Sequence, residues 1–280
     1  MSELDIRAPQ LPLHRRLAGK VRRLGFLADA ALAFRGVFLT PRFREVMAYR
    51  DRYRGRIGFL IGNGPSVRIE DLEQMGNGVT FCCNRFYLAY ERMKFRPTFL
   101  CSCDPQMILD FGQEMIDRGE STVWFVNGEP VQRNGSYLWL RSKERPRVNL
   151  RRNVLYEVSP GGATLIAAAQ IGYFMGIRHF VLYGVDHTFK FQTTTAKNGD
   201  PRSAIGEGNH FIAGYRSGRP WVPPAQRQIE EGWQSMEAQL RREGGWMVNA
   251  TRGGALEVLP RRSLEEILGQ IRAGGVFPNG

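Results

Sequence analysis

The sequence predicts an α/β fold: a Rossmann-like, mostly parallel sheet with helices on both faces, a long lid loop and a basic N-terminal helical leader. Three observations predict it. Short continuous apolar runs recur from Arg56 onward, helical patterns separate them, and several runs end on a polar residue. Strands that are apolar throughout are strands buried on both faces, as in parallel sheets. In such folds ligands bind at the carboxyl ends of the strands.

The runs come in order. Ile57 to Ile61 ends in the turn Gly62-Asn63-Gly64-Pro65-Ser66, followed by a helical segment with Ile69 and Leu72. Val79 to Cys83 ends at Asn84, Thr98 to Cys103 at Asp104, Thr122 to Val126 at Asn127, and Phe180 to Val185 at Asp186. Helical patterns cover Gln106 to Arg118 and Ala163 to Gly176. Residues 188–224 carry Gly, Pro, Thr and Asn with isolated aromatics (Phe189, Phe191, Phe211, Tyr215, Trp221), and a loop this long in a compact domain reads as a lid or binding loop. Gln226 to Glu243 returns to helix, and Trp246 to Asn249 reads as a last strand. Ser263 to Ile271 is a helix, with Ser263 and Glu266 spaced as a capping box.

The 280 residues fit one large domain, placed at residues 51–280, behind a leader at residues 1–50. The leader holds ten Lys and Arg against four Asp and Glu, so it supplies half of the net charge of +12. Leu17, Val21, Leu24, Leu27 and Ala31 recur at helical spacing among these arginines. Such a helix lies on an anionic membrane surface or docks on the main domain; the pattern fits both. The stretch Leu24 to Leu39 is too short to span a bilayer and contains Asp29 and Arg35. No signal peptide is visible, so the expected location is cytoplasmic, with the leader able to hold the protein peripherally on the inner face of the cell membrane. The basic balance favours anionic partners, but no RNA- or DNA-binding signature is present and nucleic acid is not an expected partner. Cys82, Cys83, Cys101 and Cys103 lack zinc-site spacing and read as reduced core thiols.

The turn at Gly62, Asn63, Gly64 and Ser66 is the first candidate nucleotide site. Glycines let backbone approach a phosphate, and amides at a helix start attract anions. Ser66 also reads as a cap for the following helix. The spacing matches neither a Walker loop nor the dinucleotide fingerprint. Asn84 is placed to read a base edge or hydroxyl, and Asp104 to hold a ribose or metal; each also fits as a helix cap. His210, in Gly208-Asn209-His210-Phe211, is the candidate general base, because imidazole titrates near neutral pH and a lid can carry it over a substrate.

The glycine turn, Cys83-Asn84-Arg85-Phe86-Tyr87, Asp104-Pro105, Tyr183-Gly184-Val185-Asp186 and Asn209-His210-Phe211 occur in one order. Together they resemble the motifs of bacterial sialyltransferases that use CMP-activated sialic acid. They also resemble the wider 6-hydroxymethylpterin diphosphokinase MptE-like family, to which the tail Asn249 to Glu257 is similar. The resemblance covers roughly Arg56 to Leu268. It implies that Asn63, Gly64 and Ser66 hold the phosphate and ribose of a CMP-type donor. It implies nucleotide contacts for Asn84, for Gly161, Gly162 and Thr164, and for Asp186, and the role of base for His210. Asp104 stands where the sialyltransferases have asparagine. His187, Thr188 and Phe189 follow Asp186 where those enzymes have tyrosines, which makes His187 a rival base.

The reading that follows is a glycosyltransferase moving a sugar, CMP-activated and sialic-acid-like, from a nucleotide-sugar donor to a glycan or lipid-linked acceptor, with no cofactor. The first alternative is transfer of diphosphate from ATP to 6-hydroxymethylpterin, with magnesium held by Asp104 and Asp186. The second is a non-catalytic nucleotide-binding module.

Overall fold

A computed structural model describes residues 41–75, 78–150, 153–190, 192–193, 204–205, 208–216 and 224–273. The chain divides into two compact units, Met1–Glu45 and Val46–Gly280. The leader helix expected over Leu17 to Ala31 lies outside the described residues, and a helix α1, Pro41–Met47, crosses the division.

The larger unit is built on seven strands: β1 (Ile57–Ile61), β2 (Val79–Cys83), β3 (Phe99–Ser102), β4 (Thr122–Asn127), β5 (Leu138–Arg141), β6 (His179–Tyr183) and, after two short segments, β9 (Trp246–Asn249). Their order is β5-β4-β3-β2-β1-β6-β9, and every neighbouring pair is parallel. The short segments β7 (Gln192–Thr193) and β8 (Ala204–Ile205) pair antiparallel in a separate two-stranded sheet.

Side-chain alternation puts one set of strand residues on each face, and helices cover both. On one face Phe59, Ile61, Cys82, Leu100, Phe125 and Val181 pack against α2 (Ile69–Gln74), α3 (Pro105–Arg118) and α6 (Leu264–Arg272). On the other, α4 (Thr164–Phe174) lies so close that a methyl on its Gly172 would meet the rings of Phe180 and Phe81. The α4 sequence is apolar around its whole circumference, and nine of its eleven residues are buried, as befits a helix pressed between the sheet and α5 (Gln226–Arg241). The predicted capping box forms: Ser263 Oγ accepts from the Glu266 amide, and the Glu266 carboxylate accepts from the Ser263 amide.

Topology locates the crevice. From β1 the chain steps outward through β2, β3, β4 and β5, then returns to lay β6 on the opposite side of β1. The strand order therefore reverses between β1 and β6, and the loops after these two strands diverge there. Among the described residues no helix is long and apolar enough to cross a membrane.

Three expectations are corrected. Strand β6 ends at Tyr183 rather than Val185, because Gly184 adopts a positive φ of 68° and turns the chain. Strand β5 and a 3-10 helix, Phe86–Arg92, were not anticipated; Leu138–Arg141 is too short to stand out by pattern. Ser66 does not cap α2: the cap position is Arg68, with no side-chain bond.

The glycine turn is shaped by its neighbour. A Cβ at Gly62 would lie 2.3 Å from the carbonyl oxygen of Gly184, and one at Gly64 would lie 1.8 Å from Asp186 Oδ2. These glycines admit the β6 loop, a packing role inside the protein. At Gly62 the obstacle is backbone, so no rotamer relieves it. Gly62→Ala is expected to destabilise the protein by about 1–3 kcal/mol, the usual cost of overpacking, read as a lower urea midpoint. An unchanged midpoint would contradict the packing described.

Candidate functional site

Asn63 stands at the reversal point and is 6% exposed. Its Nδ2 donates to the Cys83 carbonyl (3.0 Å) and to the Tyr215 hydroxyl (2.8 Å), and it lies 3.3 Å from Cys83 Sγ. Its carbonyl accepts from the Phe211 amide at 2.9 Å. One residue thus joins the ends of β1 and β2 to segment 208–216, far along the chain. Asn63 Oδ1 is buried and accepts no hydrogen bond among the described residues.

Segment 208–216 is held by its own side chains. Asn209 pairs with the Lys190 backbone through both halves of its amide, each at 2.7 Å. Phe211 packs against Phe86, and Ile212 and Tyr215 enter the core cluster. Arg85, 5% exposed, grips the segment from below: it donates to the carbonyls of Gly214 and Tyr215, to Glu114 and to Tyr87, and lies over the Phe111 ring.

His210 stacks on Tyr215 with ring centroids 3.7 Å apart and planes 15° apart. Burial, helped by the charge of Arg216, lowers its pKa to about 4. The expectation of titration near neutrality is therefore replaced: the imidazole is unprotonated at pH 7.

The remaining candidates divide between the crevice and the scaffold. Asn84 takes a left-handed φ of 54°, as asparagine tolerates, and its Oδ1 accepts from Ser102. Asp104 caps α3, Oδ1 accepting from the amides of Gln106 and Met107; its Oδ2 lies 3.9 Å from Arg216. Asp186 accepts from Ser66 Oγ at 2.7 Å, locking the β1 loop to the β6 loop. The Gly64 amide donates to Gly184, so it is engaged within the protein. Gly162 and its neighbour Gly161 donate their amides to Glu144, while Thr164 Oγ1 sits 3.2 Å from Cys103 Sγ. His187 is buried with a positive φ of 55°, its Nε2 3.0 Å from Glu230 on α5.

Of the carboxylates named for magnesium, Asp104 caps α3 and Asp186 accepts from Ser66, and among the described residues no three of His, Cys, Asp and Glu gather as a metal site. All four cysteines are free; burial pushes the Cys83 thiol up to about 12. Arg85, Arg216, Glu144 and Glu230 were missed as site residues by sequence reasoning. An arginine's burial leaves no mark in a sequence, although Arg85 lies inside the motif at the end of β2.

No protein-family profile matches the chain, and no curated protein matches it. Among solved structures it is similar to the MAf glycosyltransferase from Magnetospirillum magneticum AMB-1, with a TM-score of 0.46 and 14% identity over 91% of this chain. The match covers 45% of that protein, so this chain spans less than half its length. It is also similar to the sialyltransferase CstII from Campylobacter jejuni, solved with the substrate analogue cytidine-5'-monophosphate, with a TM-score of 0.42 and 10% identity over 75% of this chain and 86% of that one. Likeness this distant carries no argument about activity, which rests on the site itself.

The His210 result has a measurable consequence. An NMR pH titration is expected to show this imidazole half-protonated near pH 4. Its folded pKa lies below the unfolded value of about 6.5, so the stability it contributes is complete above that pH and is lost as pH falls toward 4. A midpoint near 6.5 would contradict the burial described.

Proposed function

We propose that this chain is a glycosyltransferase that binds a nucleotide-activated sugar in the crevice between β1 and β6, with His210 as general base. The observation that supports the reading is the docking of segment 208–216, which carries His210, onto Asn63 in the turn after β1.

The chemistry follows from that placement. An acceptor hydroxyl gives its proton to a ring nitrogen of His210 as its oxygen bonds to the anomeric carbon. The bond from that carbon to the phosphate oxygen breaks, and the nucleotide leaves with the electron pair. At neutral pH the ring is in its proton-accepting form, and its lowered pKa makes it a weaker base than a free imidazole. Burial of the ring limits water, which would compete with the acceptor. Asn63 Oδ1, buried and without a hydrogen-bond donor among the described residues, is an acceptor for a donor hydroxyl or base amine.

A CMP-linked acidic sugar is the donor favoured by the motif resemblance, and a glycan or lipid-linked glycan is the acceptor proposed. Sugar transfer ranks ahead of diphosphate transfer because Asp104 and Asp186 are engaged inside the protein. The basic leader, residues 1–50, is proposed to meet an anionic membrane surface where a lipid-linked acceptor lies.

His210→Ala is expected to reduce transfer at least about a hundredfold while leaving donor affinity nearly intact, measured by steady-state kinetics and calorimetry. Loss of transfer in His187→Ala with activity retained in His210→Ala would move the base to His187.

A further inference from the structure

We propose that the polar groove along α5 binds an acidic glycan chain, the part of the acceptor that does not react. That the chain is an acceptor rests on the sugar-transfer reading; that the groove binds it does not.

The groove runs between segment 145–149 and α5 and has a volume of about 840 Å³, within the range of ligand-binding clefts. Side-chain bonds fix its walls. Gln239 on α5 donates to the Val148 carbonyl at 2.9 Å and accepts from the Leu150 amide at 3.0 Å, and Ser235 Oγ donates to the same carbonyl at 3.0 Å. Gly161 and Gly232 line the groove and carry no side chain to fill it.

One end of the groove adjoins the carboxyl edge of the sheet. Gln228, in the lining, donates to Glu144, which accepts from the amides of Gly161 and Gly162 just before α4. Gln226, two residues earlier on α5, donates to the His187 carbonyl beyond the end of β6. From Gln228 the lining continues to Arg242 at the end of α5, about 21 Å away at 1.5 Å per residue. The occupant that fits is therefore an extended chain with one end near the crevice.

The lining selects the chemistry of that chain. It holds three arginines, Arg145, Arg147 and Arg242, against one carboxylate, Glu231. Arg145 is paired with Glu157, and Glu231 with Arg227. Arg147 and Arg242 are exposed, and among the described residues neither has an ion-pair partner. Two guanidinium forks are thus left for carboxylates on a ligand. Gln234 adds an exposed amide that both donates and accepts, as sugar hydroxyls do. Carboxylates and hydroxyls repeated along a chain are the groups an acidic glycan carries. A single-stranded nucleic acid also repeats its negative charge, but it is gripped by stacking on aromatic rings. Among the described residues no aromatic side chain lines this groove.

The test measures binding by calorimetry, without donor, of an oligogalacturonate, a neutral maltooligosaccharide of the same length and an oligothymidylate. The proteins are full-length wild type, Q234A and R147Q/R242Q; all three positions are exposed, so the Tm is expected to stay at the wild-type value. Wild type is expected to prefer the oligogalacturonate to the neutral chain by about tenfold or more, and R147Q/R242Q to lose that preference. Q234A is expected to weaken both oligosaccharides and leave oligothymidylate unchanged. The basic leader is the same in every protein, so its attraction for polyanions cancels in the comparison. Undiminished oligogalacturonate binding by R147Q/R242Q would overturn the proposal. So would an oligothymidylate affinity that falls as far as the oligogalacturonate affinity in that variant, which would make nucleic acid the occupant. Absence of sugar transfer with groove binding intact would refute the proposed activity and leave the glycan groove standing.

Discussion

The side-chain amide of Asn63 is the interaction on which the carboxyl edge of the sheet depends. Its two contacts reach a neighbouring strand and a segment some 150 residues away, and its backbone carbonyl holds the same segment a second time. Because the amide is buried, each bond is made in a low dielectric and its loss leaves a donor stranded. Among uncharged side chains only asparagine and glutamine offer two donors on one nitrogen, and glutamine is a carbon longer. Tyr215 is bonded to Asn63 and His210 stacks on Tyr215, so the geometry of the candidate base is tied to this contact.

The β1 and β6 loops form the second half of the crevice, and they are fitted to each other. Gly62 and Gly64 leave room for Gly184 and Asp186, and Ser66 bonds the Asp186 carboxylate. The glycine-rich turn at the first strand end is therefore explained without a ligand. What points to a ligand is the buried Oδ1 of Asn63, which accepts no hydrogen bond among the described residues.

Much of the fold was legible in the sequence. Val79–Cys83 and Ile57–Ile61 were readable to the residue because each is continuously apolar and stops at a turn former. The end of β6 was misjudged because Val185 extends the apolar run, while the chain turns at Gly184 through a φ that the pattern does not encode. The location of Asn63, Asn84 and Asp104 at adjacent strand ends followed from sheet order. Their bonding did not: Asp104 spends one oxygen on α3, and Ser66 bonds Asp186 instead of capping α2, choices fixed by tertiary contacts. The lowered pKa of His210 was hidden for the same reason, since it arises from burial, helped by the charge of Arg216, and a sequence does not show burial.

The central claim is that Asn63 and Tyr215 act as one unit holding segment 208–216 over the crevice. The most direct measurement is hydrogen exchange at the Phe211 amide, which bonds the Asn63 carbonyl, in wild type, Asn63→Ala, Tyr215→Phe and the double variant. The account predicts that each single substitution accelerates exchange and that the double variant is little faster than either, a coupling of about 0.5–1.5 kcal/mol. Exchange unchanged in the single variants, or effects that simply add, would contradict it.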